Sequence, residues 1–136
     1  MTTVAVIGCT HAGTFATQSI LAEHPDWQVH VFERNATLSF LSCGIALWVG
    51  DNVSDPKKMF YSSPEALAAA GATMHMRTDV TDVDVAGKTL TYRSLDAEDG
   101  ATHELSFDKL VVTTGSAPVI PPVPGIDSKH VLLCKN

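Results

Sequence analysis

The chain has 136 residues, 45% hydrophobic and 18% charged, which excludes a disordered chain and leaves one domain able to bury its own core. A formal net charge of −6 with no basic run argues against nucleic acid or an anionic membrane as a partner. Three scattered cysteines, Cys9, Cys43 and Cys134, form no disulfide framework, so a reducing, cytoplasmic setting is expected.

The first element is an apolar run of small and β-branched residues at 4–7, ending at Gly8 and suited to a buried parallel strand. It has no basic flank, and it is far shorter than the roughly seven to fifteen apolar residues of a signal peptide. Residues 14–23 carry Phe15, Ile20 and Leu21 among helix-tolerant neighbours, with Pro25 closing the helix. A second strand at 29–32 runs into Glu33, so residues 4–33 form a β–loop–α–β unit. Residues 34–62 are irregular, with short helices expected from Cys43 to Val49 and from Pro56 to Phe60. Ser63-Pro64-Glu65 starts a further helix, with a serine cap, proline at the first helical position and an acid in the first turn. That helix runs to Ala70 and stops at Gly71.

A third strand is expected at 73–76. From Val80 to Phe107 the pattern alternates, broken at Ala86-Gly87 and Asp99-Gly100, which predicts a three-stranded antiparallel meander. Residues 110–112 form one more buried strand ending in Thr113-Thr114-Gly115. Residues 117–125 then hold Pro118, Pro121, Pro122, Pro124 and Gly125, the composition of a stiff connection. The chain closes on an apolar, strand-like run at 131–134 without a closing helix, so a fragment of a longer protein is expected. The fold class is therefore α/β: a Rossmann-like nucleotide-binding domain over residues 1–116, a parallel sheet with an antiparallel meander, followed by a proline-rich connection at 117–136.

Gly8-Cys9-Thr10-His11-Ala12-Gly13 stands in the place of the G-x-G-x-x-G fingerprint. There the first glycine allows the tight turn, the third lets helix and strand pack closely, and the pyrophosphate of a dinucleotide sits on the helix N-terminus. Thr10 replaces the middle glycine, bringing a Cβ toward the pyrophosphate together with a hydroxyl that can donate to it. Glu33, 20 residues after Gly13, can accept from ribose hydroxyls and would repel a 2′-phosphate.

Cys43 lies where a helix could begin, a setting that favours a thiolate. No second cysteine follows it closely, and Trp48 stands five residues on. His11, within the phosphate loop, is a candidate acid–base group. His24, His30, His75, His103 and His130, with Cys9 and Cys134, are left as packing or surface residues, and no residue is assigned to a metal.

The stretches V-I-G-C-T-H-A-G-T, F-E-R-N, S-F-L-S-C-G-I-A-L, F-Y-S-S-P-E, F-D-K-L-V-V-T-T-G-S and P-P-V-P-G-I-D together resemble the water-forming NADH oxidases. These are close to NADH peroxidases and coenzyme A-disulfide reductases within the pyridine nucleotide-disulfide oxidoreductases. The two-cysteine branch of that family has its second cysteine where Trp48 stands here. The resemblance implies FAD as cofactor and NADH as co-substrate. It places Gly8, Thr10, His11, Ala12 and Gly13 at the pyrophosphate and Glu33 with Arg34 at the adenosine ribose. Val80 falls at the adenine, Thr113, Thr114, Gly115 and Ser116 pass the flavin, and Lys135 is a further cofactor contact. It also implies Cys43 cycling between thiolate and sulfenic acid beside the flavin, with His11 as its neighbour. Further domains for NADH and for dimerisation are implied beyond this chain, with a homodimer or higher homo-oligomer as the full-length state. Dioxygen or peroxide would be the acceptor in the oxidase and peroxidase, a coenzyme A disulfide in the reductase. A non-catalytic nucleotide-binding or redox-sensing module is the expectation from another class.

Overall fold

The computed structural model describes residues 1–133. Two sheets organise them. Strands β1 (Thr3–Ile7), β2 (Gln28–Glu33), β3 (Ala72–Met76) and β7 (Lys109–Val112) form a parallel sheet in the order β3-β2-β1-β7. Strands β4 (Thr78–Asp84), β5 (Thr89–Ser94) and β6 (Thr102–Ser106) form the antiparallel meander. The expected α/β architecture, parallel sheet plus three-stranded meander, is the one found.

Alternation along the central strands explains how both sheet faces are buried. Val4 and Val6 of β1 and Val29 and Val31 of β2 belong to one core, closed by Leu21, Leu38 and Leu67. Ala5 and Phe32 point the other way and pack with Leu90 and Phe107 beneath the meander. Helix α1 (His11–Glu23) buries Gly13, Thr17 and Leu21, spaced by four along one face, together with Thr14. Helix α3 (Pro64–Ala69) starts as its sequence predicts: the Ser63 hydroxyl accepts from Ala66 N–H at 3.1 Å, and Pro64 follows.

Three expectations are corrected. Helix α1 begins at His11, not near Thr14, because the fingerprint itself supplies its first turn. Helix α2 (Ile45–Val49) begins two residues after Cys43, which instead lies within a 3-10 turn at Ser42–Gly44. Residues 131–133 form no strand and are exposed. Residues 117–133 contain no helix or strand, and all of them except Ile126 are exposed.

Candidate functional site

The sheet order opens a cleft beyond the C-terminal ends of β1, β2 and β7, the position where parallel α/β sheets bind ligands. Its volume is about 780 Å³, at the upper end of the range of roughly 300–1,000 Å³ for small-molecule and cofactor sites.

The loop between β1 and α1 forms its floor. Gly8 holds φ +89°, its N–H donates to Phe32 O at 2.8 Å, and a Cβ there would come within 2.6 Å of Thr113 O. A Cβ on Gly13 would run into Gly8 O, so this glycine serves the close approach of helix to loop. Thr10 caps α1 at φ −90°, outside the positive-φ region that favours glycine, which is consistent with a threonine in the middle-glycine place. Its side chain accepts no hydrogen bond from the turn it caps, and that first turn carries no acid. The N-terminal end of α1 can therefore receive an anion on its N–H groups.

Thr113 fixes the loop from β7. Its N–H donates to Ile7 O at 2.8 Å, and its hydroxyl contacts Gly8 O at 2.7 Å and Ile7 O at 3.1 Å. The hydroxyl is thus committed to the protein although the residue lines the cleft.

Glu33 is 4% exposed at the end of β2. Its Oε2 accepts from Cys9 N–H at 2.8 Å, and its Oε1 from Asn35 N–H at 2.8 Å and Asn35 Nδ2 at 2.9 Å. A carboxylate offers about four acceptor positions, so capacity remains for a ligand hydroxyl. Arg34 is exposed and pairs with Asp79 at 3.7 Å, and Arg93 approaches the same carboxylate at 3.6 Å.

Behind the loop, Cys9 is fully buried. Its Sγ lies 3.6 Å from Thr14 Oγ1, which is 2.7 Å from Ser39 Oγ, and Ser39 N–H donates back to Cys9 O. Burial is the main reason its thiol pKa is raised; the Glu33 carboxylate adds to this and the Thr14 contact opposes it. Cys9 therefore remains a protonated packing thiol, as expected from sequence.

Cys43 is exposed in its 3-10 turn. Ser42 and Ile45 line the cleft on either side of it, while Cys43 is not itself among the lining residues. Gly44 is buried against Met59, and Leu41 N–H donates to Met59 O at 2.8 Å, which ties this turn to the chain around residue 60. His11 lines the cleft, and its Nδ1 is hydrogen-bonded to Tyr61 Oη at 2.8 Å rather than to Cys43.

The cleft thus gathers Gly8, Thr10, His11, Glu33, Arg34, Val80, Thr113, Thr114, Gly115 and Ser116 from four separate stretches of sequence. Ala12 and Gly13 lie in the first turn of α1 without lining it, and Lys135 is outside the described residues. Asn35, Arg77, Asp79 and Tyr61 were not singled out from sequence. Arg77 and Asp79 stand three residues and one residue before Val80, the nearest available signal for them; the Tyr61 contact spans 50 residues and leaves no local trace. Among the described residues, no group of three or more His, Cys, Asp or Glu could hold a metal ion, and no helix is long and apolar enough to cross a membrane.

Residues 2–135 match the family model described as pyridine nucleotide-disulphide oxidoreductase. The chain is 56% identical over 133 residues to an NADH oxidase of Enterococcus faecalis, covering 98% of this chain and 29% of that protein. It is 38% identical over 131 residues to an NADH oxidase of Streptococcus pyogenes, covering 96% of this chain and 28% of that one. Its fold superposes with a TM-score of 0.92 on the water-forming NADH oxidase of Lactobacillus brevis, solved bound to NADH. The identity is 54%, over 100% of this chain and 30% of the other. The chain therefore spans about three tenths of the length of these relatives.

Proposed function

The chain belongs to the pyridine nucleotide-disulphide oxidoreductase family, and on that footing we propose that it is the FAD-binding part of an NADH oxidase that reduces dioxygen to water through Cys43. The observation that carries this is the lone cysteine Cys43, set between cleft-lining Ser42 and Ile45 in a chain 54% identical to a water-forming relative.

The residues present fit FAD. The N-terminal end of α1, uncapped by side chains, with the Thr10 hydroxyl beside it, suits a pyrophosphate. Glu33 suits the ribose diol and disfavours a 2′-phosphate. Val80, Arg77 and Asp79 line the cleft beside it, and Thr113 to Ser116 line it past the end of β7. FAD, when bound, supplies the acceptor for hydride from NADH and the two-electron donor to dioxygen.

The protein's part is to finish the reduction. Oxidation of one NADH by dioxygen, with one proton, leaves NAD⁺ and hydrogen peroxide. The Cys43 thiolate then attacks one peroxide oxygen, the O–O bond breaks, and with one proton the other oxygen leaves as water. Cys43 is left as sulfenic acid, the reversible rung of thiol oxidation. Hydride from a second NADH returns the sulfenic acid to thiolate and releases the second water. His11 serves the peroxide step as hydrogen-bond donor or proton source. In this reading residues 1–116 hold the cofactor, and 117–136 lead toward an NADH-binding domain in a cytoplasmic homo-oligomer.

The test is Cys43→Ser in the full-length enzyme. The variant is expected to oxidise NADH while releasing hydrogen peroxide stoichiometrically. Continued formation of water without peroxide would remove Cys43 from the reaction. Supplying peroxide or coenzyme A disulfide in place of dioxygen separates this reading from a peroxidase or a disulfide reductase.

A further inference from the structure

Tyr61 is exposed, and among the described residues it makes the only side-chain hydrogen bond to the His11 ring. The phenol oxygen is 2.8 Å from Nδ1, and the two ring planes are 3° apart with centroids 5.4 Å from each other. Phe15, one turn along α1, stacks on the same tyrosine with ring centroids 6.1 Å apart. These side chains share a small apolar pocket of about 290 Å³ with Leu41, Met59 and Lys58, Lys58 being its one charged group.

The placement of Tyr61 is built into the backbone. Tyr61 N–H donates to Ser39 O at 3.2 Å, Phe40 bridges to Phe60, and Leu41 N–H donates to Met59 O. Ser39 in turn is fully buried at φ +56° and bonded to Cys9 O. The segment carrying Tyr61 is therefore laced to the segment carrying Cys43, and its phenol reaches across to the first residue of α1.

We propose that Tyr61 is a positioning residue for His11, its O–H donating to Nδ1 so that the ring is held in the Nε2–H tautomer with that N–H left for the cleft. This rests on the proposed role of His11 at the peroxide step. Partial burial keeps the phenol above its ordinary pKa, so Tyr61 is a protonated donor at neutral pH. An imidazole whose Nδ1 accepts a hydrogen bond keeps its proton on Nε2, and Nε2–H is then the group able to hydrogen-bond a thiolate or a peroxide oxygen.

The test reads the ring directly. In the 136-residue chain labelled with ¹⁵N-histidine, the His11 signals are assigned by their loss in His11→Asn. In the neutral ring, wild type is expected to show a protonated Nε2 and an Nδ1 displaced in the direction of hydrogen bonding. Tyr61→Phe is expected to return Nδ1 to the position of an unbonded ring nitrogen, whereas Phe15→Leu leaves the tautomer in place. An Nδ1 that is protonated or unbonded in wild type overturns the proposal without any variant, as do identical shifts in wild type and Tyr61→Phe. In the full-length enzyme, Tyr61→Phe is expected to lower the peroxide step about 3- to 10-fold with KM for NADH unchanged, the loss of one hydrogen bond's orientation. A His11→Asn enzyme that still forms water at the wild-type rate would overturn the role of His11 while leaving the spectroscopic pairing standing.

Discussion

The Glu33 carboxylate is engaged largely by the protein's own backbone, through Cys9 N–H and Asn35, so a ribose hydroxyl would complete a network that already exists. Glu33→Gln turns an amide N–H₂ toward N–H donors and is expected to cost about 2 kcal/mol. Urea denaturation checks it, and weaker FAD retention by the full-length protein should accompany the loss. Gly13 has the opposite problem, space rather than charge: Gly13→Ala drives a methyl against Gly8 O, with Thr113 Oγ1 2.8 Å away. A loss of about 2 kcal/mol is expected there, again read from the denaturation midpoint. Thr17 offers a gain. Its hydroxyl is fully buried with no hydrogen-bond partner, so Thr17→Val should raise stability by about 1 kcal/mol in the same assay.

Between elements, β2 and β3 are joined by an aromatic stack in which His30 Nδ1 and His75 Nε2 are 3.1 Å apart and Phe32, Tyr92 and His103 continue the series. Burial lowers the pKa of His30; for His75 burial comes first and the neighbouring His30 adds to it. The folded chain therefore binds fewer protons than the unfolded chain just below the unfolded value of about 6.5. Stability is full above that value and lost as pH falls through the folded pKa. Thermal melting followed from about pH 7.5 to about pH 5.5 should show this decline, and His75→Phe should flatten it.

The elements themselves were largely legible. The β–loop–α–β unit, the Ser63-Pro64 helix start and the meander all follow from period, cap and turn residues that act locally. The exact start of α1 was hidden because glycines of a phosphate loop and residues of a first helical turn are the same residues. Cys43 was legible as a lone thiol but not as an exposed member of a 3-10 turn, since Met59, far along the chain, sets that turn. Tyr61 on His11 was illegible for the same reason: tertiary contacts carry no period.

Across the whole molecule the apolar surface is unevenly covered. Leu47, Trp48 and Val49 of α2 are exposed, as are Val119, Ile120 and Val123, and Leu132 and Leu133 beyond them. Patches of this kind mark contact surfaces or aggregation liabilities. The 136-residue chain alone is expected to associate with rising concentration and to bind a hydrophobic dye, checked by sedimentation and fluorescence. Trp48→Gln with Leu47→Gln should reduce both. The Thr113 clasp on Gly8, meanwhile, closes over 105 residues of chain. The turn that gives the cleft its floor is written near the start of the message, yet the residue that fastens it is translated far later. A ribosome releasing this chain step by step exposes the loop after β1 long before its fastener, so the cleft is completed only once β7 has been made, and a nascent chain halted before β7 would lack its finished floor.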